Sequence, residues 1–174
     1  MDIKAIISDK SRKPGENIQI LSGLLLTGEL SMEAHFAFMK QAKPAELGAC
    51  MEAIEFATQT RPELVTKELF DFITSSLAYP KAPRVKWESA KVVANVCGTF
   101  SGDLDTVIVA LLKNTINDGT VVRWAAATAL SKIMLLKLPY NEYLLPEVEK
   151  ILAAEEKNSI KKIYLAAIKK ITKK

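Results

Sequence analysis

Hydrophobic residues recur along this chain at intervals of three and four, the spacing of one face of an α-helix. The segments that follow Pro44 and Pro62 show the pattern most clearly. The apolar positions are Leu47, Cys50, Met51, Ile54 and Ala57 in the first segment, and Leu64, Val65, Leu69, Phe72, Ile73 and Leu77 in the second. Because no segment alternates apolar and polar residues as a half-buried strand does, the pattern predicts an all-α protein.

Proline, glycine and capping residues divide this pattern into helices. Pro14 opens a helix that we expect to end near Thr27, where Gly28 can leave it through a positive φ. Ser31 is expected to cap the next helix. Pro44 and Pro62 open two more, and five others are predicted at about 84–98, 103–116, 120–136, 142–154 and 159–172. The segment 79–83, with two prolines, is the clearest break. These helices make about five antiparallel pairs.

Three stretches of the chain match one another at a nearly constant interval. They begin at Val85, Val122 and Ile160, 37 and then 38 residues apart. The equivalent residues five positions later are Ala90, Ala127 and Leu165, and three positions beyond those are Val93, Leu130 and Ile168. A weaker fourth copy begins at Gly48, with Ala53 and Phe56 in the equivalent places. Intervals of this length are typical of helical repeat proteins, in which each helix pair packs only on its neighbours.

The segment 118–130 carries a family signal. An acidic turn residue, Asp118, precedes Val122 and Arg123, and an alanine-rich run follows them. This segment resembles the HEAT-repeat family. The resemblance implies an all-α, right-handed α-solenoid of antiparallel helix pairs, whose second helices line the concave surface. It also implies an ion pair between Arg123 and Asp118, with Asn117 as the alternative partner. We expect a single domain over 1–174, with divergent cap helices at 1–43, repeats at 44–157 and a basic helix at 158–174.

Charge is distributed unevenly along the chain. Residues 1–80 carry 8 basic and 11 acidic side chains, whereas residues 81–174 carry 16 and 9. In the last three repeats most of the cations lie on the second helices, where Glu88 is the single acid, and the other acids lie on first helices and loops. Since the resemblance puts second helices on the concave surface, it implies a basic groove that concentrates acidic ligands. The predicted groove residues are Arg84, Lys86, Trp87, Lys91, Arg123, Trp124, Lys132, Lys161 and Lys162.

Trp87 and Trp124 occupy identical positions in two adjacent repeats. Two interpretations are open: they fill space between repeats, or they form an aromatic strip that anchors a peptide or stacks on bases. The second interpretation leads to a more distant resemblance, to the HEAT-like alkylpurine DNA glycosylases, which have a basic concave face with tryptophans. There the resemblance implies a carboxylate beside aromatic residues, a role that only Glu88 could take, with Arg123 holding the backbone. The catalytic spacing of that family does not align with this chain, so we do not expect catalysis.

Several classes of site are disfavoured by composition. Cys50 and Cys97 lie within apolar helical patterns and are expected to be buried free thiols. His35 is the only histidine, which disfavours a histidine-rich metal site and a serine or cysteine hydrolase. No glycine-rich phosphate loop is present. We therefore expect no cofactor.

The amino-terminal residues lack the features of a secretory signal, and no apolar run is long enough to cross a bilayer. The sequence thus predicts a cytoplasmic, noncatalytic interaction module that binds an acidic protein or peptide segment in its groove. The alternative is sequence-independent binding of DNA or RNA. The oligomeric state is not indicated by the sequence.

Overall fold

The computed structural model describes residues 2–172, and every regular element in that range is helical. The α-helices are α1 (Ile3–Ser8), α2 (Pro14–Thr27), α3 (Met32–Met39), α4 (Pro44–Thr58), α5 (Lys67–Ser76), α6 (Pro83–Val96), α7 (Asp105–Asn114), α8 (Thr120–Leu135), α9 (Asn141–Ala154) and α10 (Asn158–Thr172). A short 3₁₀ helix, Pro62–Leu64, precedes α5. The all-α fold class is therefore confirmed. None of the described helices is both long and apolar enough to span a membrane.

Local sequence explains where most of the helices begin and end. Proline is the first residue of α2, α4 and α6, where its missing N–H needs no partner. In α4 the carboxylate of Glu46 accepts a hydrogen bond from the backbone N–H of Lys43 at 2.9 Å. The hydroxyl of Ser31 accepts one from the N–H of Ala34 at 3.2 Å, which confirms it as the cap of α3. Gly28 leaves α2 with φ of 79°, as expected.

One predicted helix start was wrong. Pro62 opens only the 3₁₀ turn, because Val65 has an extended backbone with φ of −85° and ψ of 117°. The helix begins five residues later, at Lys67, because the Thr66 side chain accepts a hydrogen bond from the N–H of Leu69 at 3.3 Å. A capping side chain therefore sets this boundary, and the proline does not.

The helices form two layers. The even-numbered helices α2, α4, α6, α8 and α10 pack on one another in chain order, and each of α3, α5, α7 and α9 packs on the even helix that follows it. The short α1 covers α2 and also contacts α4. This arrangement is an α-solenoid, in which helix pairs are stacked in one direction.

Burial along the even helices tests the repeat alignment. Val93 of α6 and Leu130 of α8 are both fully buried, so the 37-residue interval between these helices is confirmed. The fourth copy was placed wrongly, because Phe56 is 36% exposed where an equivalent of Val93 must be buried. The interval is 39 residues, from Pro44 to Pro83, which puts the fully buried Ile54 in that place. The proline starts of α4 and α6 thus fix the register between these two helices.

Candidate functional site

The exposed side of the even helices is the surface on which the predicted groove residues were expected. One turn of helix separates Trp87, Lys91 and Asn95 on α6, and the repeat interval places Trp124, Thr128 and Lys132 at the same positions on α8. On α10 the equivalents are Lys162, Ala166 and Lys170. On α4 they include Glu52 and Phe56. We call this surface the even-helix face.

Arg84 is tied to α4. Its Nη2 lies 2.5 Å from Oε2 of Glu52, and both side chains are partly exposed. The aliphatic stem of Arg84 also lies against Gly48, where an added Cβ would approach the Arg84 Cδ to 3.0 Å. Because its charge is neutralised and its stem is packed, Arg84 joins α4 to α6.

Lys91 is held between two buried carboxylates. Its ammonium lies 2.9 Å from Oε2 of Glu88 and 3.1 Å from Oε2 of Glu55. The other oxygen of Glu88 accepts a hydrogen bond from Nε1 of Trp87 at 2.7 Å. Burial raises the pKa of Glu88, although the hydrogen bond from Lys91 opposes that effect. For Lys91, burial lowers the pKa, but Glu88 and Glu55 together outweigh it, so the pKa is raised. This cluster binds α6 to α4.

Arg123 forms an ion pair with a carboxylate that the sequence did not single out. Its Nε donates to Oε2 of Glu155 at 2.9 Å, and its Nη1 donates to the backbone carbonyls of Asn117 at 2.9 Å and Asp118 at 3.2 Å. The expected pair with the Asp118 carboxylate is therefore corrected: this turn supplies carbonyl oxygens, and Glu155 supplies the charge. The hydrogen bond with Glu155 raises the pKa of Arg123 and holds the pKa of Glu155 below its usual range.

Other lysines of the predicted groove have no such partner. In the range 2–172, no carboxylate lies within ion-pair distance of Lys86, Lys132, Lys161 or Lys162. Lys132 and Lys162 are exposed, whereas Lys86 and Lys161 are half-buried. Two further exposed and unpaired lysines, Lys169 and Lys170, extend the basic surface along α10. Among the even helices, α10 thus carries the most unpaired lysines, whereas α6 and α8 each carry one, Lys86 and Lys132.

The predicted residues separate into two rows. Lys86, Arg123 and Lys161 occupy equivalent positions that face the next helix of the stack, as the contact from Arg123 to the loop before α10 shows. Lys132 and Lys162 lie on the even-helix face itself. Adjacent sequence positions such as Lys161 and Lys162 therefore point to different surfaces, because successive residues of a helix are 100° apart.

The two tryptophans differ in exposure. Trp87 is half-buried, packs against the core and donates its indole N–H to Glu88. Trp124 is 40% exposed. The residue that follows each ring differs: Glu88 follows Trp87 and offers an acceptor, whereas Ala125 follows Trp124 and offers none. The space-filling interpretation thus suits Trp87, and the exposed-anchor interpretation suits Trp124.

The assembly that resembled a glycosylase site is not formed. Glu88 is only 4% exposed, and both of its carboxylate oxygens are engaged by Trp87 and Lys91. Arg123 directs its guanidinium to Glu155. A general base or nucleophile must reach its substrate, and Glu88 has neither a free oxygen nor an open approach.

The remaining candidate groups are in the interior. Cys50 and Cys97 are buried free thiols, as expected, and burial raises the pKa of Cys50 to about 12. His35 is fully buried with Nε2 at 3.2 Å from the carbonyl of Cys50, and burial lowers its pKa to about 4. Over residues 2–172, no cluster of three or more histidine, cysteine, aspartate or glutamate side chains is placed to hold a metal ion.

Sequence reasoning missed Glu52, Glu55 and Glu155. Glu52 and Glu55 on α4 neutralise Arg84 and Lys91 on α6, and Glu155 in the loop before α10 neutralises Arg123 on α8, so each pair joins segments that are distant along the chain. No common spacing identifies these pairs: Glu52 precedes Arg84 by 32 residues, whereas Glu155 follows Arg123 by 32. Glu55 and Lys91 are 36 residues apart.

Similarity to known proteins extends to the fold and no further. No family profile matches this chain, and no curated protein matches it in sequence. A designed armadillo repeat protein, YIII(Dq)4CqI, has a similar structure, with a TM-score of 0.71 at 14% identity over 98% of this chain and 80% of that one. A second, YIII(Dq.V1)4CPAF in complex with the peptide (KR)4, has a TM-score of 0.55 at 14% identity over 98% of both chains.

Proposed function

We propose that this protein is a noncatalytic interaction module that binds an acidic protein segment on the even-helix face, at α8 and α10. The observation that carries the proposal is the combination of an exposed aromatic ring, Trp124, with exposed lysines that have no internal carboxylate partner. Lys132, Lys162 and Lys170 provide the charge on this surface. Arg84, Lys91 and Arg123 have structural partners and are not part of the proposed site.

The packing of the two layers supports a concave site. Consecutive even helices pack closely through small residues such as Ala126 and Ala127, whereas the odd helices of residues 2–172 contact one another little. When one layer is more closely spaced than the other, the stack curves toward the closer layer. This argument favours the even-helix face as the inner surface, where a ligand contacts several repeats at once.

The chemistry of the surface favours carboxylates. The axes of packed helices lie about 8–10 Å apart, so the flexible lysine side chains of adjacent even helices can meet acidic residues at alternate positions of an extended segment, which share one face. Trp124 supplies an apolar contact that an exposed ion pair cannot replace, since exposed pairs contribute only about 0–1 kcal/mol each. The fold is shared with a designed protein in complex with (KR)4, which supports peptide binding by this architecture, although the charge on α8 and α10 favours a ligand of opposite sign.

Intrinsic tryptophan fluorescence tests the proposal directly. The titrants are a short glutamate-rich peptide, the (KR)4 peptide and duplex DNA at low salt. We expect the acidic peptide to change the fluorescence and (KR)4 to have no effect. Exchanging Lys132 and Lys162 together for glutamate should abolish the response, whereas Lys4→Glu with Lys113→Glu, on other surfaces, is the matched control.

Two outcomes would contradict the proposal. One is equal binding by both charge-reversed variants, since that indicates nonspecific attraction to the net charge. The other is binding of DNA in preference to the peptide, with a log-log salt slope of about −0.9 per phosphate contact. That result would favour the nucleic-acid alternative, for which Trp124 could stack on a base.

A further inference from the structure

Within residues 2–172, α10 exposes a side that is buried in the two preceding even helices. Ala90 of α6 and Ala127 of α8 are 2% and 0% exposed, whereas the equivalent Leu165 of α10 is 51% exposed. These residues lie on the side that faces the next even helix. Arg123 identifies that side, because it lies one turn before Ala127 and binds Glu155 in the loop before α10.

Five residues form this surface, which we call the α10 end face: Lys161, Leu165, Ile168, Lys169 and Thr172. Their equivalents on α8 are Arg123, Ala127, Leu130, Ser131 and Met134, of which the last four are buried. The end face thus has an apolar centre, Leu165 with the half-buried Ile168, between two lysines. It is separate from the even-helix face, to which the neighbouring Lys162 belongs.

We propose that the α10 end face binds an amphipathic α-helix of another protein, with its apolar stripe on Leu165 and Ile168 and acidic residues opposite Lys161 and Lys169. The stack itself supports a helix as the occupant, since α6 and α8 are each covered on this side by one. The two lysines at the margins determine the charge of the partner, because complementary charges select and orient a binding helix.

A second copy of this chain is a poor occupant of the end face. Pairing two copies through α10 would place Lys161 and Lys169 of one against the same lysines of the other. The opposite end of the array, around α1 and α2, carries Lys4, Lys10, Arg12 and Lys13 against Asp2, Asp9 and Glu16 and is also net positive. Neither end therefore offers the negative charge that the α10 end face requires.

The size of Leu165 adds a steric requirement. Alanine at this position in α6 and α8 allows the next helix to approach closely, and leucine does not. The bound helix must therefore carry small residues opposite Leu165 or lie farther out than α10 lies from α8. A partner with alanine or glycine in its apolar stripe meets this requirement.

A designed peptide probe tests the inference on the full chain. The probe is a helical peptide with a stripe of leucine and alanine flanked by glutamate, and its counterpart has lysine in place of glutamate. We expect the acidic probe to bind and the basic one to fail. Leu165→Ser should weaken binding about tenfold, because the leucine loses its burial. Val109→Ser, at a similarly exposed aliphatic residue of α7, is the matched control and should leave the affinity unchanged.

The variants also locate the bound probe, provided that circular dichroism shows each to be folded. Loss of binding in Leu165→Ser and Lys169→Glu, with normal binding in Trp124→Ala, supports the end face. Loss in Trp124→Ala alone assigns the probe to the even-helix face and overturns this inference while leaving the proposed function intact. Self-association of the protein would also overturn this inference if it depends on concentration and is abolished by Leu165→Ser. The α10 end face would then bind a second copy of this chain.

Discussion

Arg123 and Glu155 form a two-point ion pair, with Nε 2.9 Å from Oε2 and Nη2 3.3 Å from Oε1. The pair joins the first turn of α8 to the loop between α9 and α10, so it connects two successive repeats. It also places a carboxylate beside a cation that otherwise lies unfavourably near the positive end of a helix dipole. Both partners are largely buried, at 18% and 4% side-chain exposure. Arg123, which the sequence analysis predicted to bind a ligand, thus stabilises the contact between two repeats.

Replacing Arg123 by methionine should lower the free energy of unfolding by about 2–3 kcal/mol, because Glu155 is then buried without a cation. Urea denaturation monitored by circular dichroism measures the change. Adding Glu155→Leu should recover part of the loss, since a pair of apolar side chains leaves no unpaired charge. A stability loss below about 0.5 kcal/mol, the size expected for Lys132→Met at an exposed site, would show that the pair is not structural.

Lys91→Met should destabilise the contact between α4 and α6 for the same reason, since Glu55 and Glu88 would lose their shared cation. We expect a decrease of about 2–4 kcal/mol in the free energy of unfolding. Lys91→Arg keeps the charge and should be milder. Adding Glu88→Gln to Lys91→Met should recover part of the stability, since Glu55 still lacks its cation, and further destabilisation by that second change would contradict the role given to Lys91.

His35 should make the protein sensitive to mild acid. Burial lowers its pKa to about 4 from the usual 6.5, so between these pH values the unfolded chain binds a proton that the folded protein does not. Above pH 6.5 this penalty is absent, and as the pH falls toward 4 the free energy of unfolding should decrease by about 3 kcal/mol. His35→Gln keeps a donor for the carbonyl of Cys50 but does not titrate.

The control for this prediction is a comparison across pH. Denaturation of the wild type and of His35→Gln at several pH values between 4 and 7 separates the histidine from the carboxylates, which titrate in both proteins. A stability difference between the two proteins that does not vary with pH would show that His35 has the same pKa in the folded and unfolded states.

Trp87 and Trp124 should have different fluorescence. The Trp87→Phe variant retains the ring that is 40% exposed, and its emission should lie at longer wavelength and be quenched strongly by acrylamide. The Trp124→Phe variant retains the half-buried ring that donates to Glu88, so its emission should be shifted to the blue and quenched weakly. Equal quenching of the two variants would contradict the different environments and remove the basis for placing an anchor at Trp124.

The repeat interval could be found from sequence because each even helix repeats the same local requirement. Ala90, Ala127 and Val93 are small or branched because they must fit between neighbouring helices. The same requirement recurs in each repeat, which makes the interval visible in the sequence. The α4 copy was misplaced because short apolar patterns match at more than one offset, and only burial of Ile54 rather than Phe56 selects the interval. The start of α5 was misplaced because Pro62 and Thr66 both offer an acceptable beginning, and the extended backbone at Val65 separates them.

The sequence by itself determined the helical class of the protein, its repeat interval and the positive charge of its second half, since these follow from spacing and composition along one chain. Only the tertiary structure decided which of those charges are available to a ligand. Arg84, Lys91 and Arg123 are neutralised by Glu52, Glu55, Glu88 and Glu155, and all but Glu88 come from other helices or loops. The physical reason is that an ion pair depends on distance in space, which helix stacking sets, whereas a sequence pattern records only distance along the chain.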